Sequence, residues 1–339
     1  MRVLIVKTSS LGDVIHTLPA LTDAARAIPG ITFDWMVEES FSEIPPWHPA
    51  VRKVIPMAWR RWRKKIWSAD NRQEWQAFLR ELRKEDYDLI IDAQGLVKSA
   101  LLSLTAKGKR CGLDWGSARE PFASLFYNKK SKVNFYQHAV IRMRAIVGQS
   151  LGYPVPETIA DYGIGREQFA DAEQDSKYLV FLHSTTWDTK MWPESYWQQL
   201  ANLAATAGLK VKMLWGNAPE KARAERVAAG APNIEVVGTQ FKLNTSVRIL
   251  ANAQAVVAVD TGLLHLAAAL NVPTVSLYGP TNPEYTGALG QNQIHLAANF
   301  PCAPCLKRDC TYPGETAVQP PCFSVLSPQR VWEVLNKIC

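Results

Sequence analysis

Val3-Leu-Ile-Val6, running straight into Lys7-Thr-Ser-Ser-Leu-Gly-Asp-Val-Ile-His-Thr-Leu-Pro-Ala-Leu21, is the stretch that decides the fold. Four apolar residues bounded by polar ones read as a buried strand. Val14, Leu18, Leu21 and Ala25 then recur at three- and four-residue intervals, which predicts a helix directly after it. The polar loop between strand and helix ends in Gly12-Asp13. In an open α/β sheet this loop is where ligands bind, at the carboxyl end of the strand. Gly12 lets the backbone approach a ligand closely. Asp13, beside it and near a helix N-terminus, is placed to accept a proton from a bound hydroxyl. Asp is also a favoured N-cap, so the same residue reads equally as a structural cap.

Working outward, the strand–helix alternation continues. Residues 31–37, 51–55 and 87–92 read as strands, and 71–85 as an amphipathic helix with Trp75, Phe78, Leu79 and Leu82 on one face. Further helices are expected from Val97, over 119–127 and over 137–151. Gly152-Tyr-Pro-Val-Pro156 and an aperiodic run to about Asp175 suggest a linker. The pattern then restarts, with strands at 177–183, 210–215, 234–237, 255–259 and 273–278, helices between them, and a closing helix over 328–338. This order predicts two doubly wound parallel α/β domains, 1–160 and 161–326, with 327–339 as the closing helix.

At 339 residues the chain is long enough for two cores, and 47% hydrophobic with 20% charged residues describes a soluble globular protein. No apolar run reaches membrane-span length, and no signal-peptide layout is present, so a cytoplasmic protein is expected, with any membrane contact peripheral. A net charge of +7 points to an anionic partner: a phosphorylated substrate, a nucleic acid or an acidic membrane surface. The cysteines are Cys111, Cys302, Cys305, Cys310, Cys322 and Cys339. The spacing from Cys302 to Cys322 is compatible with zinc, but the Pro-rich setting outside the two cores favours free thiols. The sequence lacks G-x-G-x-x-G, the P-loop, H-E-x-x-H and G-x-S-x-G. Two nucleotide-type domains without these motifs predict a ligand held in a cleft between them.

Three further stretches carry chemistry. In Val257-Ala-Val-Asp-Thr-Gly-Leu-Leu-His265 a strand ends in Asp260-Thr261-Gly262 and a helix begins at once, so the helix amides and dipole suit a pyrophosphate. His265, one turn in, reads as a ligand contact or as a satisfied core histidine. In His183-Ser-Thr-Thr-Trp-Asp-Thr-Lys-Met-Trp-Pro193, Thr185, Thr186 and Lys190 offer hydroxyls and one positive charge. From Arg52 to Lys65 there are basic residues and no acidic ones, with Trp59, Trp62 and Trp67 interleaved. A run of this kind is usually a solvated face; the tryptophans suit a phosphorylated amphiphile at a membrane, or nucleic acid.

The first loop, I-D-A-Q-G-L-V-K-S, A-R-E-P-F-A-S-L-F-Y, H-S-T-T-W-D-T-K-M-W-P and V-D-T-G-L-L-H-L-A-A-A-L together resemble the inverting glycosyltransferases of family 9, the lipopolysaccharide heptosyltransferases. The resemblance runs from Met1 to about residue 285 and does not cover the Cys-rich stretch 302–322. The basic Trp-Arg run and A-R-E-P point to the branch that adds the first heptose rather than the second. The resemblance implies a GT-B fold, two Rossmann-like domains facing a cleft, and no cofactor or metal. It implies ADP-L-glycero-β-D-manno-heptose as donor, and as acceptor the Kdo of Kdo2-lipid A on the cytoplasmic face of the inner membrane, reached by peripheral contact with anionic lipid. It assigns Asp13 as general base, and Thr185, Thr186, Lys190, Glu220, Asp260, Thr261, Gly262 and His265 to the donor. Arg60, Arg61, Arg63, Lys64 and Arg119 are assigned to the acceptor. A second heptosyltransferase or another nucleotide-sugar transferase of this fold is the nearer alternative, and a nucleic-acid binding protein the distant one. Two complete α/β domains and a confined basic patch count against nucleic acid.

Overall fold

The computed structural model describes residues 1–64, 68–170, 178–240, 242–314 and 316–339. Lys65 and Trp67 of the basic run, the linker's end near Asp175, and Lys177 at the head of an expected strand lie outside the described residues. The chain divides into two compact units, Met1–Ile164 and Gly165–Cys339.

The first unit begins with β1 (Arg2–Val6), whose Val3, Leu4, Ile5 and Val6 are fully buried. A continuous apolar run is what a strand needs when helices cover both sheet faces. The single helix expected next is two, α1 (Leu11–Ile15) and α2 (Leu18–Ala27). Pro19 explains the break: it has no N–H to give to an earlier turn, but suits the first turn of a new helix. There follow β2 (Thr32–Glu38), β3 (Val51–Met57), α3 (Trp59–Trp62), α4 (Ala69–Arg83), β4 (Asp86–Asp92), α5 (Val97–Ser103), β5 (Lys107–Leu113), β6 (Lys129–Ser131) and α6 (Ala139–Leu151). The six strands are parallel, in the order β3-β2-β1-β4-β5-β6.

Strands β5 and β6 were not expected from the sequence. Lys107-Gly-Lys-Arg-Cys-Gly-Leu113 is rich in Lys and Gly, and only its last three residues are buried, so its apolar signal is weak. The helix expected over 119–127 is a 3-10 helix, Pro121–Phe126, and Arg119 lies in the loop before it.

The second unit repeats the plan. Its elements are β7 (Tyr178–Leu182), α7 (Glu194–Thr206), β8 (Lys210–Trp215), α8 (Ala218–Ala228), β9 (Ile234–Gly238), α9 (Leu243–Ala251), β10 (Ala255–Val259), α10 (Gly262–Ala269), β11 (Thr274–Tyr278), α11 (Pro283–Thr286), β12 (Gln293–Ala297) and α12 (Pro328–Leu335). The parallel order is β12-β11-β10-β7-β8-β9. Val331 and Leu335 of α12 are fully buried in the same core as Phe181, Trp192, Trp197 and Leu277. The doubly wound α/β expectation therefore holds for both units.

One polar contact inside the first unit is exceptional. Arg144 of α6 and Asp23 of α2 are both almost fully buried and pair through two bonds, 2.6 and 3.2 Å. Arg144 also donates to the Thr158 and Pro156 carbonyls at 2.9 and 3.0 Å. Removing one partner strands a buried charge, whereas replacing both need not. Arg144→Ala is expected to lower the unit's unfolding free energy by about 3–5 kcal/mol, and the double variant Asp23→Leu/Arg144→Met to recover most of it. Urea unfolding followed by circular dichroism checks this; an unchanged midpoint for Arg144→Ala would refute it.

Candidate functional site

In each sheet the order reverses between two neighbouring parallel strands, β1 and β4 in the first unit and β7 and β10 in the second. Loops leaving such a pair diverge and open a crevice at the carboxyl ends. The sequence-predicted residues of greatest interest gather at these two points.

In the first unit the loops after β1 and β4 are tied together. The amides of Thr8 and Ser9 donate to Gln94 Oε1 at 3.0 and 3.2 Å. Gln94 and Gly95 amides in turn donate to Asp92 Oδ1, at 2.9 and 3.3 Å, and the Tyr127 hydroxyl donates to Asp92 Oδ2 at 2.7 Å. Gly95 adopts φ of +69°, a backbone conformation that a side chain disfavours. Tyr127 reaches Asp92 by lying against Gly112 of β5, where any Cβ would collide with its ring. Asp92 is fully buried, and that burial raises its pKa against the lowering effect of its four hydrogen bonds.

Asp13 is the third residue of α1, not its N-cap, which is Ser10. Its Oδ2 accepts from the Ser10 amide at 2.8 Å and the Ser10 hydroxyl at 2.9 Å. This is the acidic half of a capping box. Lys7 lies close by, buried, with Nζ donating to the Ala93 carbonyl at 3.1 Å. Burial lowers its pKa, opposed by the charges of Asp13 and Asp92. Arg142 of α6, its pKa also lowered by burial and opposed by Asp13, spreads over the Phe135 ring at 4.6 Å. Arg119, exposed, adds positive charge to the surroundings of Lys7. Asp13 thus stands near two basic groups, Lys7 and Arg142. Sequence reading singled out neither Lys7 nor Arg142. Lys7 had a signal, a charge closing an apolar strand; Arg142 is delivered by a distant helix and had none.

In the second unit, Thr185 Oγ1 donates to the Asp260 carbonyl at 3.0 Å, again joining the two loops. Lys190 Nζ pairs with Asp260 Oδ2 at 2.8 Å and lies 4.4 Å above the Trp187 ring. Arg308 stands over the same ring at 5.2 Å, a neighbour that local pattern did not reveal. Thr261 is the N-cap of α10, and Gly262 its first residue. Thr186 is exposed, and His265 is buried at 5% exposure. Glu220 sits in the first turn of α8: its amide donates to Oδ1 of the N-cap Asn217 at 2.9 Å and its Oε2 accepts from the Gly216 amide at 2.7 Å. His183, fully buried with Nε2 3.2 Å from the Leu214 carbonyl, is pushed down to about 4 by burial and so is neutral with Nε2 protonated.

The basic run divides. Arg52 makes a two-point pair with Asp34 and Lys53 pairs with Glu81, both structural. Arg60 and Arg61 lie on α3, and Arg63 and Lys64 in the turn after it. Arg61 bridges Glu39 and Glu74 at 3.1 and 2.8 Å, while the Arg60 guanidinium lies over Phe41 at 5.3 Å. Trp59 and Trp62 do not form a surface stripe. Trp62 is buried, donates to Glu74 at 2.7 Å, and packs with Trp75 and Phe78; Trp59 packs against the same core. Burial against α4 explains them without any ligand.

All six cysteines are unbonded thiols. Cys322 is pushed up to about 12, first by burial and then by Cys302, Cys305 and Cys310. Among the described residues no group of His, Cys, Asp or Glu is arranged to hold a metal ion.

Comparison with known proteins places these features in a family. A family model for glycosyltransferase family 9 (heptosyltransferase) matches residues 75–315. Lipopolysaccharide heptosyltransferase 1 of Pseudomonas aeruginosa PAO1 is 58% identical over 341 residues, covering 98% of this chain and 96% of that protein. Escherichia coli heptosyltransferase WaaC, solved with ADP, superposes with a TM-score of 0.89 at 46% identity, each chain covered in full. The same enzyme solved with ADP-2-deoxy-2-fluoro heptose gives 0.85, again at 46% identity and full coverage of both chains. The chain belongs to glycosyltransferase family 9, the heptosyltransferases.

Proposed function

We propose that this heptosyltransferase moves L-glycero-D-manno-heptose from ADP-L-glycero-β-D-manno-heptose to the Kdo of Kdo2-lipid A, with inversion, at the cytoplasmic face of the inner membrane. The observation that carries the reading is Lys190 held 2.8 Å from Asp260 at the head of α10. A cation and a helix N-terminus converge there, which suits a diphosphate. Its relatives support the rest: one carries the name lipopolysaccharide heptosyltransferase 1, and another was solved with ADP and with an ADP-heptose analogue.

Transfer to an alcohol needs a base, because a hydroxyl is a poor nucleophile. Asp13 takes that proton while the acceptor oxygen attacks the anomeric carbon from the face opposite ADP. No enzyme nucleophile intervenes, so the anomeric centre inverts. The two hydrogen bonds from Ser10 fix the carboxylate's direction. Lys190 and the amides at Thr261 and Gly262 meet the charge that grows on the departing ADP, which serves the role a divalent cation plays elsewhere. Thr185, Thr186 and His265 line this site, and Glu220 holds the ribose. Arg60, Arg63, Lys64 and Arg119 meet the anionic acceptor; Arg61, bound to two glutamates, is the least available of the run.

Incubation with ADP-heptose and Kdo2-lipid A, read by mass spectrometry, is expected to add one heptose. An acceptor that already carries the first heptose is expected to gain none, and the opposite preference would reassign the chain to the second transfer.

Asp13→Asn is expected to fold and bind ADP normally while turnover falls about 10²–10⁴-fold, the usual contribution of a positioned base. Asn can still accept from Ser10, so a purely structural capping role predicts near-normal turnover, and that result would sink the catalytic assignment.

Lys190→Ala is expected to raise the donor KM and lower kcat together, because the lost charge is needed most in the transition state. Activity of the wild-type protein should survive EDTA; loss restored only by a divalent ion would overturn the metal-free scheme.

The triple variant Arg60→Ala/Arg63→Ala/Lys64→Ala is expected to raise the acceptor KM and leave ADP affinity, measured by calorimetry, unchanged. A collapse of ADP affinity instead would show the patch to be misassigned.

A further inference from the structure

The acceptor proposed above is anchored in lipid, yet Trp62 of the basic run, its expected membrane contact, is buried. The apolar surface lies elsewhere. Most exposed large apolar side chains among the described residues fall between Leu101 and Tyr136. Helix α5 and the 3-10 helix Pro121–Phe126 pack side by side, with Ala100, Ala123 and Tyr127 buried on their inner faces. Their outer faces are apolar too. Leu101 and Leu104 are 46% and 44% exposed, and Phe122 and Leu125 62% and 63%. In a 3-10 helix residues three apart eclipse, so Phe122 and Leu125 share one outward ridge. Trp115, 52% exposed, extends it by an edge-to-face contact with Phe122 at 5.1 Å.

The charge around this ridge is one-signed. Residues 96–137 carry eight basic residues and two acidic ones, a net +6 against +7 for the whole chain. Lys109, Lys130 and Lys132 are exposed on or beside β5 and the edge strand β6, and β5 packs against the 3-10 helix. An exposed apolar ridge with an aromatic side chain and a lysine rim is the composition of a surface that lies in a bilayer interface. A second protein chain would be expected to bury the ridge with charges of mixed sign or with none; the lysine rim complements anionic headgroups.

We propose that the outer face of α5 and the 3-10 helix Pro121–Phe126, with Trp115, docks this enzyme on an anionic phospholipid bilayer. The assignment rests on the lipid-anchored acceptor of the proposed function and adds the surface that reaches it. The apolar side chains enter the headgroup boundary, and the lysines bind the headgroup phosphates.

The test is co-sedimentation with vesicles of phosphatidylethanolamine and phosphatidylglycerol, and with vesicles of phosphatidylcholine alone. The wild-type protein is expected to bind the anionic vesicles, less so in high salt, and to bind phosphatidylcholine weakly. Phe122→Ser/Leu125→Ser alters only exposed side chains and is expected to keep its thermal midpoint, its ADP affinity and its transfer to a water-soluble deacylated acceptor. Its partition onto anionic vesicles should fall roughly tenfold or more, as loss of inserted apolar area requires. Lys109→Glu/Lys130→Glu should weaken binding at low salt and matter little at high salt. Unchanged vesicle binding in both variants would overturn the proposal. So would light scattering that showed the wild type as a dimer and Phe122→Ser/Leu125→Ser as a monomer with vesicle binding intact, which would give the ridge to self-association. Vesicle binding that needs the ridge, together with no heptose transfer to the soluble acceptor, would keep the docking surface and refute the proposed reaction.

Discussion

A parallel sheet wound in both directions from its middle has one place where adjacent strands send their connections to opposite faces. The proposed catalytic base and the proposed diphosphate site both depend on that place. Each unit has one, between β1 and β4 and between β7 and β10, because all strands run parallel and the order reverses there. The diverging loops would leave polar backbone groups without partners, and side chains bridge the gap: Gln94 between the first pair, Thr185 and Asp260 between the second. These bonds join the loops without any ligand, an arrangement of the kind that preorganised electrostatic catalysis uses.

Side chains that hold helix starts are also among those proposed to meet substrate. Asp13 completes a capping box, Glu220 ties the first turn of α8 to the Gly216 amide, and each is also proposed to act toward substrate. The N-cap reading of Asp13 gives way to a place in the first turn behind the N-cap Ser10, where the hydrogen bonds that hold the helix start also fix the carboxylate's direction. Lys190 is similarly double. Its ion pair with Asp260 satisfies a partly buried charge and keeps the ammonium at the head of α10.

The sequence was most legible where apolar runs were continuous and turn residues marked their ends. β1, β4, β7, β10 and β11 carry such runs, and with them came both switch points, Asp13 and the Asp260-Thr261-Gly262 turn. It was least legible in strands with little apolar pattern of their own. β5, β6 and β12 are short or rich in Lys, Gly and polar residues, and they pair because neighbouring strands offer them a ladder, not because their own pattern demands it. Neighbours supplied across long sequence separation, Arg142 beside Asp13 and Arg308 over Trp187, left no local trace. Trp62 of the basic run shows the limit of local pattern, because a buried Trp and a membrane-facing Trp look alike until α4 is seen to cover it.

Gly112 illustrates where the tightest limit on change lies. It sits in an edge-side strand that composition marks as unremarkable, it touches no proposed substrate, and its missing Cβ is what lets Tyr127 reach Asp92. Through Asp92 and Gln94 that one absent methyl determines how the loop bearing Asp13 is held. Sequence drift at position 112 would thus be filtered as severely as drift in the loop itself. A lineage that lost this glycine would have to rebuild the far side of the sheet before it could keep the same reaction.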